Sequence, residues 1–284
     1  MFLIDVLIHG LGWASIYALI AVGFTLIFNA SKVINLAQGD FVMLGGLLAF
    51  SLYSWGIPLP LIPLLAALGV ALVGAGLERV AILPASKASP TSLIIITIAL
   101  SIILKSTAAL IWGPHHFRIP EFFQQSSLSV GGVMVETQYL LVMTVCLVCM
   151  VVLTLFLRKT KLGRSIRASS MDPVGARIVG VSPGRMRLLS FFISAGLGGM
   201  VGTIIAPIFY ASADCGLNLG LKGFCAAVLG GMGSIPGALV GGVIIGLSEA
   251  LSVSVISAYK DVIAPVLMIV ILYLQPRGIL GSRS

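Results

Sequence analysis

The sequence has 284 residues, of which 58% are hydrophobic and only 9% are Asp, Glu, Lys or Arg. This composition excludes a water-soluble domain and is typical of an all-α protein that crosses a membrane several times. The formal net charge is +8, and residues 158–187 supply +7 of it through eight basic residues and one acid. Because the positive charge is confined to one loop between apolar segments, membrane topology explains it, and we expect no nucleic-acid partner.

Apolar segments follow one another along the chain and are the predicted transmembrane helices. They cover residues 7–28, 41–55, 61–83, 93–112, 139–157, 188–210, 238–256 and 262–274. A further apolar segment, 220–232, is too short to cross a bilayer and runs into a glycine-rich turn. The predicted fold is an all-α polytopic membrane protein with about eight transmembrane helices plus one broken or re-entrant segment.

Each half of the chain holds one interrupted segment, at residues 29–46 and 216–242. Irregular polar backbone at membrane depth is tolerated where it is buried in protein or lines a watery cavity. Paired interruptions in two halves indicate a transport path near the midplane and suggest a two-half internal repeat. The candidate residues of the path and the broken segments are Asn35, Gln38, Asp40, Gly230, Gly233, Pro236 and Glu249. For the polar members of this set, a structural brace is the alternative interpretation.

Two charged residues, Lys105 and Glu249, lie well inside predicted spans, whereas Glu78 and Arg79 lie near the end of one. Each costs about 2.5 to 3.5 kcal/mol at the centre of a membrane helix, so such residues are candidates for a functional role. Participation in a structural ion pair or in hydrogen-bonded packing is the alternative.

The basic stretch 158–187 contains a predicted short helix. Asp172 followed by Pro173 is a typical N-cap and first helical residue, and Gly180 suits the position after the helix end. Val174 and Ile178 are four residues apart and form one apolar face. Such a helix can dock a cytosolic partner, or the loop can lie on anionic lipid headgroups; the residues alone leave both open.

The positive-inside rule puts this stretch in the cytoplasm. Counting back five crossings places the N-terminus outside, and the short loops with Lys32, Arg79 and Lys87 then also lie inside. The side of the C-terminal tail, which carries Arg277, depends on whether segment 220–232 crosses the membrane.

Several blocks, in this order along the chain, resemble the LivH-type permeases of ATP-binding-cassette importers. They are residues 17–28 with 33–39, residues 163–168 with Asp172, Ala176 and 180–181, residues 229–238, and residues 275–281. The resemblance extends over essentially the whole chain.

The resemblance implies a single permease domain over residues 1–284, in the bacterial cytoplasmic (inner) membrane, that takes up branched-chain amino acids. Its implied partners are a second, LivM-like permease subunit, two ABC ATPase subunits, an extracytoplasmic substrate-binding protein and membrane lipid. ATP and Mg²⁺ would bind to the ATPases, with no cofactor, metal or catalytic residue in this chain. The chain indeed lacks a G-x-x-x-x-G-K-[ST] phosphate loop.

The resemblance also gives roles to particular residues. Loop 158–187 becomes the loop that couples the permease to the ATPases, and its coupling residues are Arg164, Arg167, Asp172, Ala176 and Gly180. Asp214 and Lys222 are expected in an outer connection, where they would meet the binding protein.

Three alternatives remain at this stage. The cargo can be urea, a short-chain amide or another amino acid. The chain can also be a stand-alone secondary carrier or channel, with ion coupling through Glu249. An intramembrane enzyme is a weak third option, since no nucleophile–base pair or metal-ligand set occurs in the spans.

Overall fold

A computed structural model describes residues 2–86, 88–123, 127–130, 133–256 and 260–281. The described residues form eleven α-helices and one small β-hairpin. The helices are α1 (Phe2–Ser31), α2 (Gln38–Ser54), α3 (Ile62–Leu77), α4 (Pro90–Trp112), α5 (Thr137–Lys159), α6 (Lys161–Met171), α7 (Pro173–Ile178), α8 (Pro183–Phe209), α9 (Cys215–Gly230), α10 (Ile235–Ile256) and α11 (Lys260–Leu274). The hairpin pairs β1 (Ser127–Val130) with β2 (Val133–Glu136) in the connection before α5.

Six helical segments are long and apolar enough to cross a membrane. They are Val6–Ser31, Leu59–Ile82, Pro90–Trp112, Thr137–Lys159, Pro183–Phe209 and Ile235–Val253. The predicted spans 41–55 and 262–274 are helical as well, but α2 and α11 have only 17 and 15 residues, fewer than the roughly 20 that a full crossing needs. The helical fold is confirmed, while the count of eight spans and the internal repeat stay predictions.

The broken segment is a longer helix than we predicted. Helix α9 begins at Cys215 rather than near Gly220, and it has 16 residues. The glycines in its first turns look like a loop in the sequence, but they allow close packing against α2. A Cβ at Gly220 would lie against the backbone of Gly39. Helix formation here is therefore decided by a tertiary contact, because glycine has a poor intrinsic helix propensity.

The core of the bundle contains α1, α2, α8, α9 and α10, and α3, α4 and α5 lie around it. Tyr17 and Phe24 of α1 are fully buried. In contrast, Leu110 of α4 is 87% exposed and Leu147 of α5 is 63% exposed. Exposed apolar faces of this kind suit contact with lipid or with another membrane subunit.

Glycines bring the core helices into backbone contact. Gly202 of α8 faces the carbonyl oxygen of Val42 in α2, and Gly246 of α10 faces Ala14 of α1. Lipid tails are as apolar as leucine, so close packing rather than water exclusion holds membrane helices together, and small residues permit it. Gly242 and Gly246, four residues apart in α10, thus form a small-residue face against α1.

One end of the bundle carries α6 and α7, and we call it the basic end. Arg158 and Arg167 line a cavity there together with Gly233 and Pro236, which follow α9. The C-terminal tail is also held there, since Ile279 N and Leu280 N donate to the carbonyls of Leu229 and Gly230 at 2.9 Å each. The tail, whose side the sequence left open, therefore lies at the same end as the basic stretch.

A buried ion cluster joins four helices. Lys222 Nζ of α9 lies 2.5 Å from Glu249 Oε1 of α10 and 2.8 Å from Asp261 Oδ1 of α11. It also lies 5.9 Å from the ring centroid of Trp13 and 5.7 Å from that of Tyr17, both in α1, within the reach of a cation–π interaction. Placing Lys222 in an outer connection was wrong: this residue is 8% exposed and belongs to α9.

The glycine contact between α8 and α2 can be tested with a matched pair of variants. Gly202→Ala should lower the free energy of unfolding by about 1–3 kcal/mol, because the added methyl group forces the two backbones apart. Gly76→Ala in α3 is the control, since a Cβ there meets nothing within 4 Å; it should leave stability unchanged or raise it by up to about 1 kcal/mol. Unfolding in detergent measures both, and equal stabilities would contradict the packing argument.

The ion cluster predicts non-additive losses of stability. Lys222→Met should cost about 3–5 kcal/mol in unfolding free energy, because it leaves the buried Glu249 carboxylate without its partner. Adding Glu249→Gln to this variant should recover much of the loss. Glu249→Gln alone should cost less, since Lys222 keeps Asp261. A double-mutant cycle in detergent measures the coupling, and strictly additive losses would argue against it.

Candidate functional site

The bend between α1 and α2 is a buried piece of irregular backbone, as the sequence predicts. Side chains satisfy two of its backbone N–H groups: Leu36 N donates to Thr97 Oγ1 at 3.3 Å, and Ala37 N donates to Asn35 Oδ1 at the same distance. Asn35 Nδ2 has no hydrogen-bond partner among the described residues. Asn35 is only 2% exposed. The bend is therefore packed in protein, and Thr97 of α4 is a partner that the sequence did not indicate.

Gln38, the first residue of α2, connects this helix to α8. Its Nε2 donates to the carbonyl oxygen of Ser194 at 3.4 Å, and its Oε1 lies 2.9 Å from Ser194 Oγ. The side chain is fully buried. These contacts favour a structural role for Gln38 over a role in lining the path.

Asp40 has a different environment from its two neighbours. It lies in the first turn of α2, is 3% exposed, and lines a cavity of about 300 Å³ between α2, α4 and α9. Its Oδ2 has no hydrogen-bond partner among the described residues. Next to Asp40, Gly39 contacts Gly216 and Gly220 without intervening side chains, so the first turns of α2 and α9 lie side by side.

An exposed ion pair lies next to this cavity. Lys105 Nζ of α4 is 2.8 Å from Asp214 Oδ1, with 46% and 76% of the two side chains exposed. Asp214 lies directly before α9, in the connection where we predicted it. The partner of Lys105 is thus Asp214, whereas Glu249 belongs to the cluster around Lys222.

Helix α6 at the basic end was not predicted from the sequence. Thr160 caps it, accepting a hydrogen bond from Gly163 N at 2.9 Å. Its buried face consists of Gly163, Ile166 and Ser169, while Arg164 and Arg167 are exposed. The threonine cap and the three-residue spacing were the available signals, but glycine and serine at these positions suggested a loop.

Helix α7 confirms the predicted short helix. Asp172 Oδ1 accepts hydrogen bonds from Val174 N at 2.9 Å and Gly175 N at 3.0 Å. Gly180 follows the helix with a φ of +80°, which glycine adopts without strain. Ala176 is buried, so the helix is held on one side.

The apolar face predicted on α7 points away from the rest of this chain. Val174 is 67% exposed and Ile178 is 82% exposed, and Val179 directly after the helix is 73% exposed. Together with the exposed Arg164 and Arg167, they give the basic end a surface that is apolar at one helix and cationic at the other.

A buried ion pair that sequence reasoning missed links this region to α3. Arg187 Nε of α8 donates to Glu78 Oε1, at the end of α3, over 2.7 Å. The side chains are 15% and 1% exposed. The only signal was an acidic residue at the cytoplasmic end of a predicted span, and its partner lies 109 positions away along the chain.

The structure does not unite the predicted path residues in one site. Asn35, Gln38 and Asp40 lie at the start of α2. Gly230, Gly233 and Pro236 lie at the basic end, where Gly233 accepts a hydrogen bond from Asn29 Nδ2 at 2.9 Å through its carbonyl oxygen. Glu249 belongs to the ion cluster. Within the described ranges, no three His, Cys, Asp or Glu side chains converge as metal ligands would.

Comparison with known proteins identifies a matching family and similar proteins. Residues 6–272 match the family described as the branched-chain amino acid transport system permease component. The permease protein LivH of Escherichia coli K12, described as part of a high-affinity branched-chain amino acid transport system, is 33% identical; the match covers 99% of this chain and 96% of LivH. BraD of Pseudomonas aeruginosa, described in the same way, is 34% identical over 97% of this chain and 94% of its own length.

A solved structure matches the fold. PsaBC from Streptococcus pneumoniae in complex with Fab aligns over 95% of this chain and 91% of the matched chain, with a TM-score of 0.50 and 12% identity. At this identity the similarity concerns the fold alone. The family match and the near full-length relatives are independent of it, and they show that this multi-pass membrane protein belongs to the family of permease components of branched-chain amino acid transport systems.

Proposed function

We propose that the chain is the LivH-type permease subunit of an ATP-driven importer of branched-chain amino acids in the bacterial cytoplasmic membrane. The whole chain acts as one permease domain, and it works with a second, LivM-like permease, two ABC ATPases and an extracytoplasmic binding protein. The identity to LivH and BraD over nearly their full lengths supports this assignment. Hydrolysis of ATP belongs to the ATPase subunits.

The observation that carries the mechanism is the exposed face of α7. Val174 and Ile178 are apolar, more than half exposed, and fixed on a capped helix. A preorganised apolar face surrounded by positive charge favours docking to a protein over a flexible loop on headgroups. We therefore assign α6 and α7 to coupling, with Arg164, Arg167, Asp172, Ala176 and Gly180 as its residues.

The charges support an orientation with the basic end in the cytoplasm. Lys and Arg next to spans resist translocation, and residues 158–187 and Arg277 lie at the same end. The chain returns to the basic end along α9, which accounts for the common position of the tail and the basic stretch. The N-terminus then lies outside.

Movement of α7 on closure of the ATPases would reach the spans through two routes. Helix α7 is joined to α8 by only a short turn, and Arg187 in the first turns of α8 pairs with Glu78. Rocking of α8 relative to α1 and α10 would alternate access to a path between the two permeases. The bend at Asn35 and the glycine turn at Gly230, Gly233 and Pro236 are the breaks that permit such motion.

The assignment is tested by reconstituting the assembled complex in proteoliposomes, with binding protein and labelled leucine outside and ATP inside. We expect accumulation of leucine that requires ATP and is competed by isoleucine and valine. Competition by urea instead would support the amide alternative. Leucine flux through this chain alone, without ATP, would support the stand-alone carrier.

The docking face predicts a specific loss of partner binding. Val174→Asp with Ile178→Asp should reduce co-purification of the ATPase by about tenfold or more, because a loss of about 1.4 kcal/mol already gives a factor of ten. Phe123→Asp is the control, an exposed apolar residue in the connection after α4. Full co-purification with the α7 variant would contradict docking through this face.

Charge reversal tests the cationic part of the same surface. Arg164→Glu with Arg167→Glu should weaken ATPase association, most strongly at low salt, since exposed charges act over about a Debye length. Membrane insertion should be unchanged. Arg118→Glu reverses an exposed charge outside the basic end and should have no effect on association. Pull-down across a salt series measures this, and equal association of all three proteins would remove these arginines from the coupling surface.

A further inference from the structure

We propose that the cleft between α2, α4 and the first turns of α9 is a subsite that holds the amino-acid zwitterion during its passage. Asp40 faces the ammonium group, Lys105 faces the carboxylate, and the aliphatic side chain lies in the apolar part of the cleft. This inference rests on the proposed function and adds to it the location of the cargo-binding site and the side chains that contact the cargo.

The shape and lining of the cleft fit a small aliphatic molecule. Its volume of about 300 Å³ is at the lower end of the roughly 300–1,000 Å³ usual for small-molecule sites. The lining is apolar apart from Asp40 and Ser101, and its apolar side chains include Phe24, Leu36, Ile102, Leu217, Leu221 and Phe224. Burial of a branched aliphatic side chain in this cleft would favour binding, because it removes apolar surface from water.

Asp40 supplies an unsatisfied acceptor at the polar side of this cleft. The residue is only 3% exposed, yet Oδ2 has no hydrogen-bond partner in the described part of the chain. Its place in the first turn of α2 offsets part of the cost of burying the carboxylate, since a helix N-terminus carries partial positive charge. A buried carboxylate without a partner is costly. An ammonium group with several N–H donors would remove that cost.

Lys105 supplies the opposite charge on the same face of α4. It follows Ser101 by four residues, so the two side chains lie one helical turn apart, and its charge acts on Asp40. Its present partner is the exposed Asp214 at 2.8 Å. Exposed ion pairs contribute only about 0–1 kcal/mol, so a ligand carboxylate can replace Asp214 as the partner of Lys105.

The two charges match a zwitterion better than the alternative cargoes. Asp40 and Lys105 lie beside one apolar cleft, so they match the ammonium and carboxylate groups that share the α-carbon of an amino acid, and the cleft matches its aliphatic side chain. Urea and simple amides carry neither charge. A net-charged ligand would leave one of the two groups unmatched. The arrangement therefore supports amino acids over amides as cargo.

The cleft is open on the surface of this subunit. Ile102 is 60% exposed, Leu217 is 67% exposed and Leu221 is 48% exposed. The exposed charges of Lys105 and Asp214 on the same side would be costly against lipid tails. This face is therefore the one that meets water or the second permease, which would close the cleft from the other side.

The test uses the assembled complex in proteoliposomes. Asp40→Asn and Lys105→Met should each lower ATP-driven leucine uptake by about tenfold or more, with unchanged subunit co-purification. Glu121→Gln and Arg118→Met in the connection after α4 are the matched controls and should transport normally. Uptake by both cleft variants at the wild-type KM and kcat would overturn the subsite.

A second measurement covers variants that fail to assemble. Leu217→Cys, in a background without the four native cysteines, should react with a maleimide several-fold more slowly when leucine is present, and urea should give no protection. Labelling that leucine leaves unchanged, in a complex that transports leucine, would overturn the subsite while leaving the proposed function intact. Absence of ATP-driven leucine uptake by the wild-type complex would instead overturn the proposed function.

Discussion

Close approach of helix backbones at glycine is the constraint on which this structure depends. Gly39 touches Gly216 and Gly220, and Gly45 faces the backbone of Gly199. In a bilayer there is no water to be expelled between apolar helices, so attraction comes from atoms in direct contact. The first turns of two short helices can then lie side by side inside the bundle, where a side chain of any size would separate them. The cleft at Asp40 exists because this contact fixes the start of α2 against the start of α9.

The polar interior follows from the same packing. Backbone groups freed by the bend before α2 have no water at this depth, and Thr97 and Asn35 satisfy part of them. Charges are buried only in pairs, as at Lys222 with Glu249 and at Arg187 with Glu78. Among the described residues, Asp40 is the exception because this buried acid has no basic partner in a buried ion pair and lines a cavity. This difference makes Asp40 a candidate for contact with the cargo, whereas the paired residues stabilise the fold.

Local signals in the sequence were sufficient for some elements. Asp172, Pro173 and Gly180 predicted the position and both ends of α7, because capping depends on residues next to each other in the chain. Long apolar segments predicted the long helices, because length and hydrophobicity are also properties of one continuous stretch of chain. The four-residue spacing of Gly242 and Gly246 in α10 is a local signal of the same kind, and Ala18 and Ala14 of α1 pack against these two glycines.

Features that depend on distant residues could not be predicted. The start of α9 was placed too late because its glycines favour a loop until α2 packs against them. Lys222 was assigned to the wrong environment for the same reason, and its partners come from two later helices. The candidate path residues were collected by chemical type, and the fold distributes them over three places. The roles of these residues in transport remain predictions.

The ion pair between Arg187 and Glu78 has a mechanical consequence. Glu78 is 1% exposed, and separating the two charges would leave it buried without a partner, at a cost of about 3–5 kcal/mol. The ion pair thus holds helices α3 and α8 together at the basic end. A displacement at this end would move both helices as one rigid body. Relative movement would then occur between this pair and the helices packed against it.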